Sequence, residues 1–340
     1  MSAENLVAAG CGSRYTAAVL RIERGGRVAF ERAFGTLDDA ANASRIEVTT
    51  PFDVASLTKI FVACAALRAV QDGLLDLDAP LGSLVCEWRG AAAATSLRHL
   101  LAHSSGMASG ADYRTLWGDN VEAFALSRDR ISALGASVTY SDLGFIALGA
   151  VLARAHRRSL ASVIAHTVRA LGCENARYRA RADDAARIPA TECDAWRGRV
   201  RGVVHDEKAY LAGGVAGHAG IFSSAHDVAR LAEAFLAPYN ARPSTFLDAR
   251  LAREATIEQA PDPVLRRGLG WALKTSDDNS CGAAMSLETF GHTGFTGTSL
   301  WADPRRDLSV TLLTNAVYYG RRDLRDVRAA VCDAAVAEFG

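Results

Sequence analysis

Lysine is nearly absent from this chain of 340 residues. Its three lysines are Lys59, Lys208 and Lys274, and the remaining 35 of its 38 basic residues are arginine. A guanidinium group keeps its proton at any working pH, whereas a desolvated amine can release one. Because almost every positive charge in this sequence is an arginine, its few lysines are candidates for proton transfer. Lys59 is the strongest of these candidates.

Long apolar runs and a net charge are also missing. No stretch approaches about 18 consecutive apolar residues, the length that a membrane-spanning helix needs. Acidic and basic residues balance at 38 each, so nothing points to a nucleic acid or another polyanion as partner. The arginine-rich run at 177–201 is interleaved with acidic residues, which favours a solvated surface. We expect a soluble enzyme with no membrane or nucleic-acid partner and an unknown oligomeric state.

Paired cysteines and an N-terminal leader are the other missing features. The seven cysteines are scattered without close pairs, which fits reduced thiols better than a disulfide framework. The first ten residues lack a basic segment followed by a long apolar core, so no signal peptide is evident. We therefore expect a cytoplasmic protein, with a trimmed N-terminus left open.

What is present begins with Ser-Leu-Thr-Lys at 56–59, at the start of a predicted helix. The run from Ser56 to Asp72 is rich in Ala, Leu, Val and Ile, and Gly73 provides a C-terminal stop. Ser56 and Lys59 are then one turn apart on one face, where an amine and a hydroxyl can share a proton. This makes Ser56 a candidate nucleophile and Lys59 a candidate base. The same residues also fit a serine N-cap followed by a surface lysine.

Two further segments have residue types suited to catalysis. Tyr140 in Tyr-Ser-Asp (140–142) precedes a predicted helix, and a phenol there can relay protons, especially beside an ammonium group. The alternative is a tyrosine that caps a core helix, with Asp142 as the N-cap. The glycine-rich stretch 291–297 allows a substrate to lie close to the backbone, and one of its N–H groups can complete an oxyanion hole. By itself this stretch also fits a tight turn.

In this order the segments Ser-Leu-Thr-Lys, Tyr-Ser-Asp and His-Thr-Gly resemble the active-site motifs of the serine β-lactamase and penicillin-recognising superfamily. The surrounding sequence resembles its class C-like branch, which contains DD-peptidases and family VIII carboxylesterases. The landmarks of that branch are 52–56, 73–80, 100–106 and 268–271. Residues 204–207 and 213–222 are similar to a bacterial subgroup associated with cell-wall fragments, which includes muramoyl-alanine amidases.

The resemblance implies a role for each matching position. Ser56 would attack an ester or amide carbonyl, while Lys59 and Tyr140 would manage its proton. The backbone N–H groups of Ser56 and Phe295 would form the oxyanion hole. The implied substrate-binding residues are Asp142, His292, Thr293 and Gly294. No cofactor is implied.

Two positions depart from the superfamily pattern. The second motif usually ends in asparagine, whereas Asp142 cannot donate a hydrogen bond when it is ionised. Many β-lactamases have lysine where this chain has His292, and a neutral imidazole holds a carboxylate less firmly than an ammonium group does. The two departures predict weak or absent β-lactamase activity and leave a peptide-like substrate open.

A metal site is the alternative use of a histidine-rich segment. The candidate ligands are His205, Asp206, Glu207 and His218. Their spacing matches no His-Glu-x-x-His or Cys/His pattern, and the glycines around His218 indicate a loop packed near the active site. We therefore predict no metal.

The pattern of elements predicts an α/β (α+β) fold in which an antiparallel sheet is flanked by helices. Hairpins are predicted at 17–34 and 297–314, a final helix at about 322–339, and helices between them at 142–155, 160–171 and 225–236. We expect both termini to enter one sheet, in a discontinuous α/β lobe of residues 1–75 and 240–340. Residues 76–239 would form a mostly helical lobe. The resemblance implies a β-lactamase/transpeptidase-like fold with the active site in the cleft between the lobes.

The predicted function is that of a serine hydrolase that cleaves an amide or ester through a Ser56 acyl-enzyme. The expected partner is a small-molecule or muropeptide-like substrate, and the similarity at 204–222 favours a muropeptide amidase or peptidase. One alternative is a family VIII-like carboxylesterase or acyltransferase acting on small esters. Another is a non-catalytic muropeptide-binding or sensor module. The acyl group, the acceptor and the deacylating base are not indicated.

Overall fold

The structure is a computed structural model that describes residues 1–260 and 266–340. Its strands are β1 (Ala17–Arg24), β2 (Arg27–Gly35), β3 (Phe52–Asp53), β4 (Arg177–Tyr178), β5 (Cys193–Asp194), β6 (Gly198–Arg199), β7 (Ile221–Ser223), β8 (Ala272–Leu273), β9 (Phe290–Thr293), β10 (Ser299–Asp303) and β11 (Leu308–Thr314). Its α-helices are α1 (Ala3–Gly10), α2 (Thr58–Gln71), α3 (Leu97–Leu101), α4 (Val121–Ser127), α5 (Asp142–His156), α6 (Leu160–Ala170), α7 (Ala182–Ala185), α8 (Glu207–Leu211), α9 (Ala225–Tyr239), α10 (Ala249–Ala255) and α11 (Arg325–Phe339).

An antiparallel sheet joins the two ends of the chain, as predicted. Its strand order is β2-β1-β11-β10-β9-β8, and Leu20 of β1 pairs with Leu312 of β11. Alternate residues of β1 enter two different cores. Leu20 and Ile22 pack with helices α1 and α11, whereas Val19 belongs to the core that contains α2 and α5. The sheet is therefore covered on both faces, which explains why β1 is buried along nearly its whole length.

The helix α2 lies in the larger core and carries the Ser-Leu-Thr-Lys motif. Eleven of its residues are buried, a pattern expected of a helix surrounded by other elements on every side. It contacts α5, α6 and α9, and α9 in turn packs on β1, β10 and β11. The start of α2 is thereby held at a fixed position beside the sheet.

The predicted hairpins and helices are confirmed, with small differences at their ends. The second hairpin begins at Ser299 rather than Gly297, because Gly297 has a φ of 112° and cannot continue a strand. The last helix begins at Arg325 rather than about 322, because the Asp323 carboxylate accepts a hydrogen bond from the Arg325 N–H and forms a turn there. The division of the chain into lobes at 75/76 and 239/240 stays a prediction.

Over residues 1–260 and 266–340, no helix combines the length and the apolar character that crossing a bilayer requires.

Candidate active site

Ser56 lies in a short 3-10 turn, Ala55–Leu57, that leads directly into α2. The residue before it, Ala55, has a φ of 47°, a left-handed conformation that is uncommon for a residue with a side chain. The buried Asp53 carboxylate holds this conformation by accepting a hydrogen bond from the Ala55 N–H at 2.8 Å. The N-cap of α2 is Leu57, so the interpretation of Ser56 as an ordinary N-cap is wrong. The turn instead brings Ser56 to the wall of a cavity.

Lys59 is completely buried directly behind Ser56. Its Nζ lies 3.1 Å from Ser56 Oγ, 3.1 Å from the backbone oxygen of His218 and 2.9 Å from Asp142 Oδ1. Burial alone would lower the pKa of this amine, but the Asp142 carboxylate beside it raises that pKa above its ordinary value. The surface-lysine interpretation is therefore wrong, and Lys59 is an ammonium group in the resting protein.

Tyr140 covers the same ammonium group from the side of the cavity. Its ring centroid lies 4.8 Å from Lys59 Nζ. The Tyr140 ring also packs in a tilted arrangement on the His103 ring, with 4.7 Å between the two ring centroids. His103 is buried and its Nδ1 accepts a hydrogen bond from the Ser141 N–H at 3.0 Å. Burial lowers the pKa of His103 well below its ordinary value, so the ring is neutral. A neutral imidazole thus fixes the turn that carries Tyr140.

Asp142 is the first residue of α5 and not its N-cap, which corrects one of the sequence alternatives. The N-cap is Ser141, whose Oγ accepts from the Gly144 N–H at 2.9 Å. The Asp142 carboxylate is consequently free to reach Lys59. Burial would raise its pKa, but the cations around it, Lys59 first, lower that pKa to about 2. Asp142 is therefore ionised and can only accept hydrogen bonds, as predicted from its residue type.

The His-Thr-Gly segment ends β9 and begins the turn to β10. This turn is hydrogen-bonded to the residues that precede the nucleophile. Thr296 Oγ1 donates to the Asp53 carbonyl at 2.8 Å, and Thr298 Oγ1 donates to the Val54 carbonyl at 3.0 Å. A Cβ at Gly294 would lie 2.5 Å from the Val54 carbonyl oxygen, so only glycine fits. The tight turn is therefore confirmed, while the approach of a substrate to this backbone and the oxyanion hole stay predictions.

His292 is a neutral imidazole inside the site. Burial lowers its pKa to about 3, and its Nδ1 donates to the Thr293 carbonyl at 2.8 Å. Its ring centroid lies 5.8 Å from that of Tyr140. His292 therefore offers no positive charge to a substrate carboxylate at neutral pH.

One cavity of about 750 Å³ brings most of the predicted site residues together. Those that line it are Ser56, Tyr140, His292, Thr293, Gly294 and Phe295. Its lining also includes the arginines Arg267, Arg321, Arg322, Arg325 and Arg328 and the aspartates Asp278 and Asp323. Of these, Arg267 lies over the Tyr140 ring, 5.2 Å from the ring centroid. Lys59 and Asp142 lie behind this lining. The three sequence motifs, far apart in the chain, therefore converge at one place.

Lys208 lies beside Asp142, and the sequence interpretation did not include it among the site residues. Its Nζ lies 3.3 Å from Asp142 Oδ2 and 3.3 Å from Asp206 Oδ2. Asp206 Oδ1 is in turn 2.7 Å from His218 Nε2. The rarity of lysine was a signal that could have singled out Lys208, because it is one of only three in the sequence.

Three of the side chains in this network could in principle share a metal ion. Ligand atoms of Asp142, Asp206 and His218 lie within 4.8 Å of one another. Both aspartates, however, already contact a lysine ammonium group, which supplies the positive charge that a metal would bring. Two further candidates from the sequence, His205 and Glu207, have other partners. His205 Nε2 is 3.3 Å from Glu192 and Glu207 pairs with Arg321.

Comparison with known proteins shows what this chain is similar to. Over 353 residues the chain is 29% identical to esterase EstB of Burkholderia gladioli, covering 90% of this chain and 88% of the esterase. It is 40% identical over 119 residues to N-acetylmuramyl-L-alanine amidase of Bacillus subtilis (strain 168), which covers 34% of this chain and 26% of the amidase. The solved structure of EstCE1, a hydrolase with promiscuous acyltransferase activity, superposes with a TM-score of 0.78 at 22% identity and covers 97% of each chain.

The structural likeness confirms the β-lactamase/transpeptidase-like fold, with its antiparallel sheet and flanking helices. The profile of the Beta-lactamase family matches residues 4–334, which is nearly the whole chain. Esterases, carboxypeptidases and acyltransferases are among its relatives and structural neighbours. The chain therefore belongs to the beta-lactamase family, within the serine hydrolase superfamily that the sequence motifs predict.

Proposed function

We propose that this protein is a serine hydrolase that cleaves an ester or amide through an acyl-enzyme on Ser56. The observation that carries the proposal is the 3.1 Å contact between Ser56 Oγ and the fully buried Nζ of Lys59. Burying an ammonium group costs free energy of desolvation unless strong hydrogen-bond or charged partners offset it. Here one of its partners is a hydroxyl group at the wall of a cavity, which is the arrangement that an activated serine nucleophile needs.

The chemistry follows from the groups in reach. Ser56 Oγ would attack the carbonyl carbon of the substrate, and its proton would pass to the pair formed by Lys59 and Tyr140. The backbone N–H groups of Ser56 and Phe295 would stabilise the oxyanion. The proton would then go to the leaving alcohol or amine as the carbonyl–heteroatom bond breaks. Water would hydrolyse the acyl-enzyme and restore the Ser56 hydroxyl.

The protonation of Lys59 in the resting protein limits when it can accept the proton of Ser56. The Lys59 ammonium group has three N–H groups to donate and no lone pair with which to accept a proton. Its hydrogen-bond partners are Ser56 Oγ, the His218 carbonyl, Asp142 and the Tyr140 hydroxyl. The Ser56 hydrogen therefore points away from Lys59 before the reaction. Because the Lys59 amine can accept a proton only after losing one, we expect the rate of acylation to rise with pH.

A peptide-like substrate of cell-wall origin is the version that we favour. The local likeness to an N-acetylmuramyl-L-alanine amidase supports it, and so does the arginine-rich wall of the cavity, which suits a substrate bearing carboxylates. The esterase alternative is supported by the likeness to EstB along nearly the whole chain. Ordinary β-lactamase activity is expected to be weak, because Asp142 cannot donate and His292 is uncharged.

The test is the mass of the intact protein after brief exposure to activated short-chain esters, muropeptides and a β-lactam. We expect a Ser56-dependent adduct or released product with at least one of them, and none with Ser56→Ala. The matched control is Ser162→Ala, which changes an exposed serine on α6 and should react like the wild type.

The accepted ligand separates the remaining functions. Muropeptide cleavage supports the amidase or peptidase version. Turnover of short esters without muropeptide cleavage, or transfer to an alcohol in preference to water, supports the carboxylesterase or acyltransferase. The absence of adduct and product with every ligand, together with unchanged muropeptide affinity in Ser56→Ala, would replace the hydrolase by the binding or sensor module.

A further inference from the structure

Two of the three lysines of this chain converge on one carboxylate. Lys59 Nζ is 2.9 Å from Asp142 Oδ1, and Lys208 Nζ is 3.3 Å from Asp142 Oδ2. The two oxygens of Asp142 therefore face two different ammonium groups. Lys59 comes from α2 and Lys208 from α8, so the contact depends on how the elements pack and not on local sequence.

Lys208 is itself held on its other side. Its Nζ is 3.3 Å from Asp206 Oδ2, and Asp206 Oδ1 is 2.7 Å from His218 Nε2. The backbone oxygen of His218 accepts the hydrogen bond from Lys59. The contacts thus form a closed circuit that starts and ends at Lys59, and the side chains in it are buried or half-buried. A rigid circuit of this kind fixes side-chain positions that an isolated ion pair would leave free.

We propose that Lys208 is a positioning residue of the active site, which holds the Asp142 carboxylate against Lys59 and so keeps Lys59 aligned with Ser56. The inference rests on the proposed function, because it assigns a purpose to alignment with a nucleophile. Lys208 need not touch the substrate to act in this way. It acts through Asp142, the residue in which this chain departs from the usual asparagine.

The charges around Asp142 predict in which direction the pKa of Lys59 changes in each variant. The charged and titratable groups around Asp142 are Lys59, Lys208, Asp206 and His218. If Lys208 is removed, Asp142 is left to Lys59 alone, and Lys59 should hold its proton more tightly. If Asp142 is replaced by asparagine, burial dominates and Lys59 should release its proton more easily.

Kinetics on the full chain test this through a double-mutant cycle. The variants are Lys208→Met, Lys208→Arg, Asp142→Asn and the double variant Asp142→Asn/Lys208→Met. The measured quantity is the single-turnover rate of Ser56 acylation by an activated ester. We expect Lys208→Met to lower this rate about tenfold or more in the wild-type background, and by a much smaller factor when Asp142 is already asparagine. Lys208→Arg should restore part of the loss, because it keeps the charge.

Several kinetic outcomes would overturn the proposal. One is an equal loss in both backgrounds, which would show that Lys208 acts independently of Asp142. Another is a wild-type rate in Lys208→Met. A third is an unchanged maximal single-turnover rate that is reached only at higher ester concentration, which would make Lys208 a substrate-binding group. Thermal unfolding of each variant separates these results from simple instability.

A second readout needs no catalysis. With only three lysines in the chain, carbon-13 labelling at lysine Cε gives three NMR signals, which Lys208→Met and Lys274→Arg assign. We expect the Lys59 signal to shift in Lys208→Met, and to shift less when the same change is made in the Asp142→Asn protein. An unchanged Lys59 signal would overturn the proposal. If Ser56 is never acylated, the proposed function fails, while this measurement still decides the role of Lys208.

Discussion

Lys59 and Lys274 are both buried ammonium groups, and their partners differ in kind. Lys59 is completely buried and Lys274 is 3% exposed. Lys274 Nζ donates to the carbonyl oxygens of Ala283 and Met285 at 2.9 and 2.7 Å, and Asp277 lies 3.0 Å away. Lys59 also has one carbonyl and one carboxylate partner, but in addition it contacts the Ser56 hydroxyl.

The difference shows that burial of an amine does not by itself make an active site. The partners of Lys274 are a carboxylate and backbone groups, so that ammonium group ties a loop to the end of β8. The partners of Lys59 include a group that can react, at the wall of a cavity, with Tyr140 beside it. Chemistry therefore depends on which acceptor the buried amine faces.

The strongest test of this difference between Lys59 and Lys274 is to make the same substitution at both lysines. Lys59→Arg keeps the charge but cannot exchange a proton, so we expect kcat/KM to fall about 10²–10⁴-fold. Lys274→Arg should lower the melting temperature and leave kcat/KM unchanged for the folded protein. Ester or muropeptide kinetics alongside thermal unfolding check both. Wild-type rates in Lys59→Arg would remove its role in proton transfer.

A second prediction compares Tyr140 in the site with Tyr15 in the smaller core. Tyr140→Phe should slow acylation or deacylation by about a hundredfold or more, because it removes a proton-transfer group. The matched control is Tyr15→Phe, since the buried Tyr15 hydroxyl donates to the Val7 carbonyl at 2.8 Å in the other core. That change should cost stability only, by about 1 kcal/mol. Pre-steady-state kinetics separate the two steps, and if neither changes in Tyr140→Phe, the phenol is structural.

Buried carboxylates allow a third, smaller test. Asp53 accepts hydrogen bonds from the Ala55 and His205 N–H groups, at 2.8 and 2.6 Å, and so supports the nucleophile turn. Asp303 accepts from the Ser286 N–H at 2.9 Å, near Lys274. We expect each Asp→Asn change to cost about 1–3 kcal/mol of unfolding free energy. Asp53→Asn alone should also lower kcat, about tenfold or more, because Ser56 is displaced. Equal kcat values in the two variants would contradict a positioning role for Asp53.

The last prediction concerns the pH dependence of stability and involves no change in catalytic rate. Burial lowers the pKa of His292 from 6.5 to about 3, so the unfolded chain binds a proton at this residue before the folded chain does. The stability due to neutral His292 is therefore complete above about pH 6.5 and is lost as the pH falls toward 3, with a slope of at most about 1.4 kcal/mol per pH unit. His103 acts in the same direction.

The check is denaturant unfolding between pH 7 and 4. His292→Gln should flatten the dependence of unfolding free energy on pH, because it removes the buried imidazole. An unchanged slope in His292→Gln would mean that the buried imidazole is not the group that titrates.

Much of this protein could be predicted from local patterns. The hairpin of β1 and β2, the helix α2 and the helix α5 follow from alternation, helical periodicity and glycine stops, which act between near neighbours in the chain. The errors lie at the ends of elements. Ser56 precedes its helix and Asp142 follows its cap, because a 3-10 turn and the Ser141 side chain occupy the capping positions. Because Ser141 is the N-cap of α5, the carboxylate of the next residue, Asp142, is left to contact Lys59.

By itself the sequence determined which residues are available for chemistry and the elements on which they lie. The spacing of Ser56 and Lys59 is a property of a single helical turn, and the rarity of lysine is a property of composition. Only the tertiary structure decided that Lys208 reaches Asp142, that Asp53 holds the nucleophile turn, and that His292 is neutral. Those facts depend on burial and on contacts between distant segments, and both arise only when the sheet and the helices pack together.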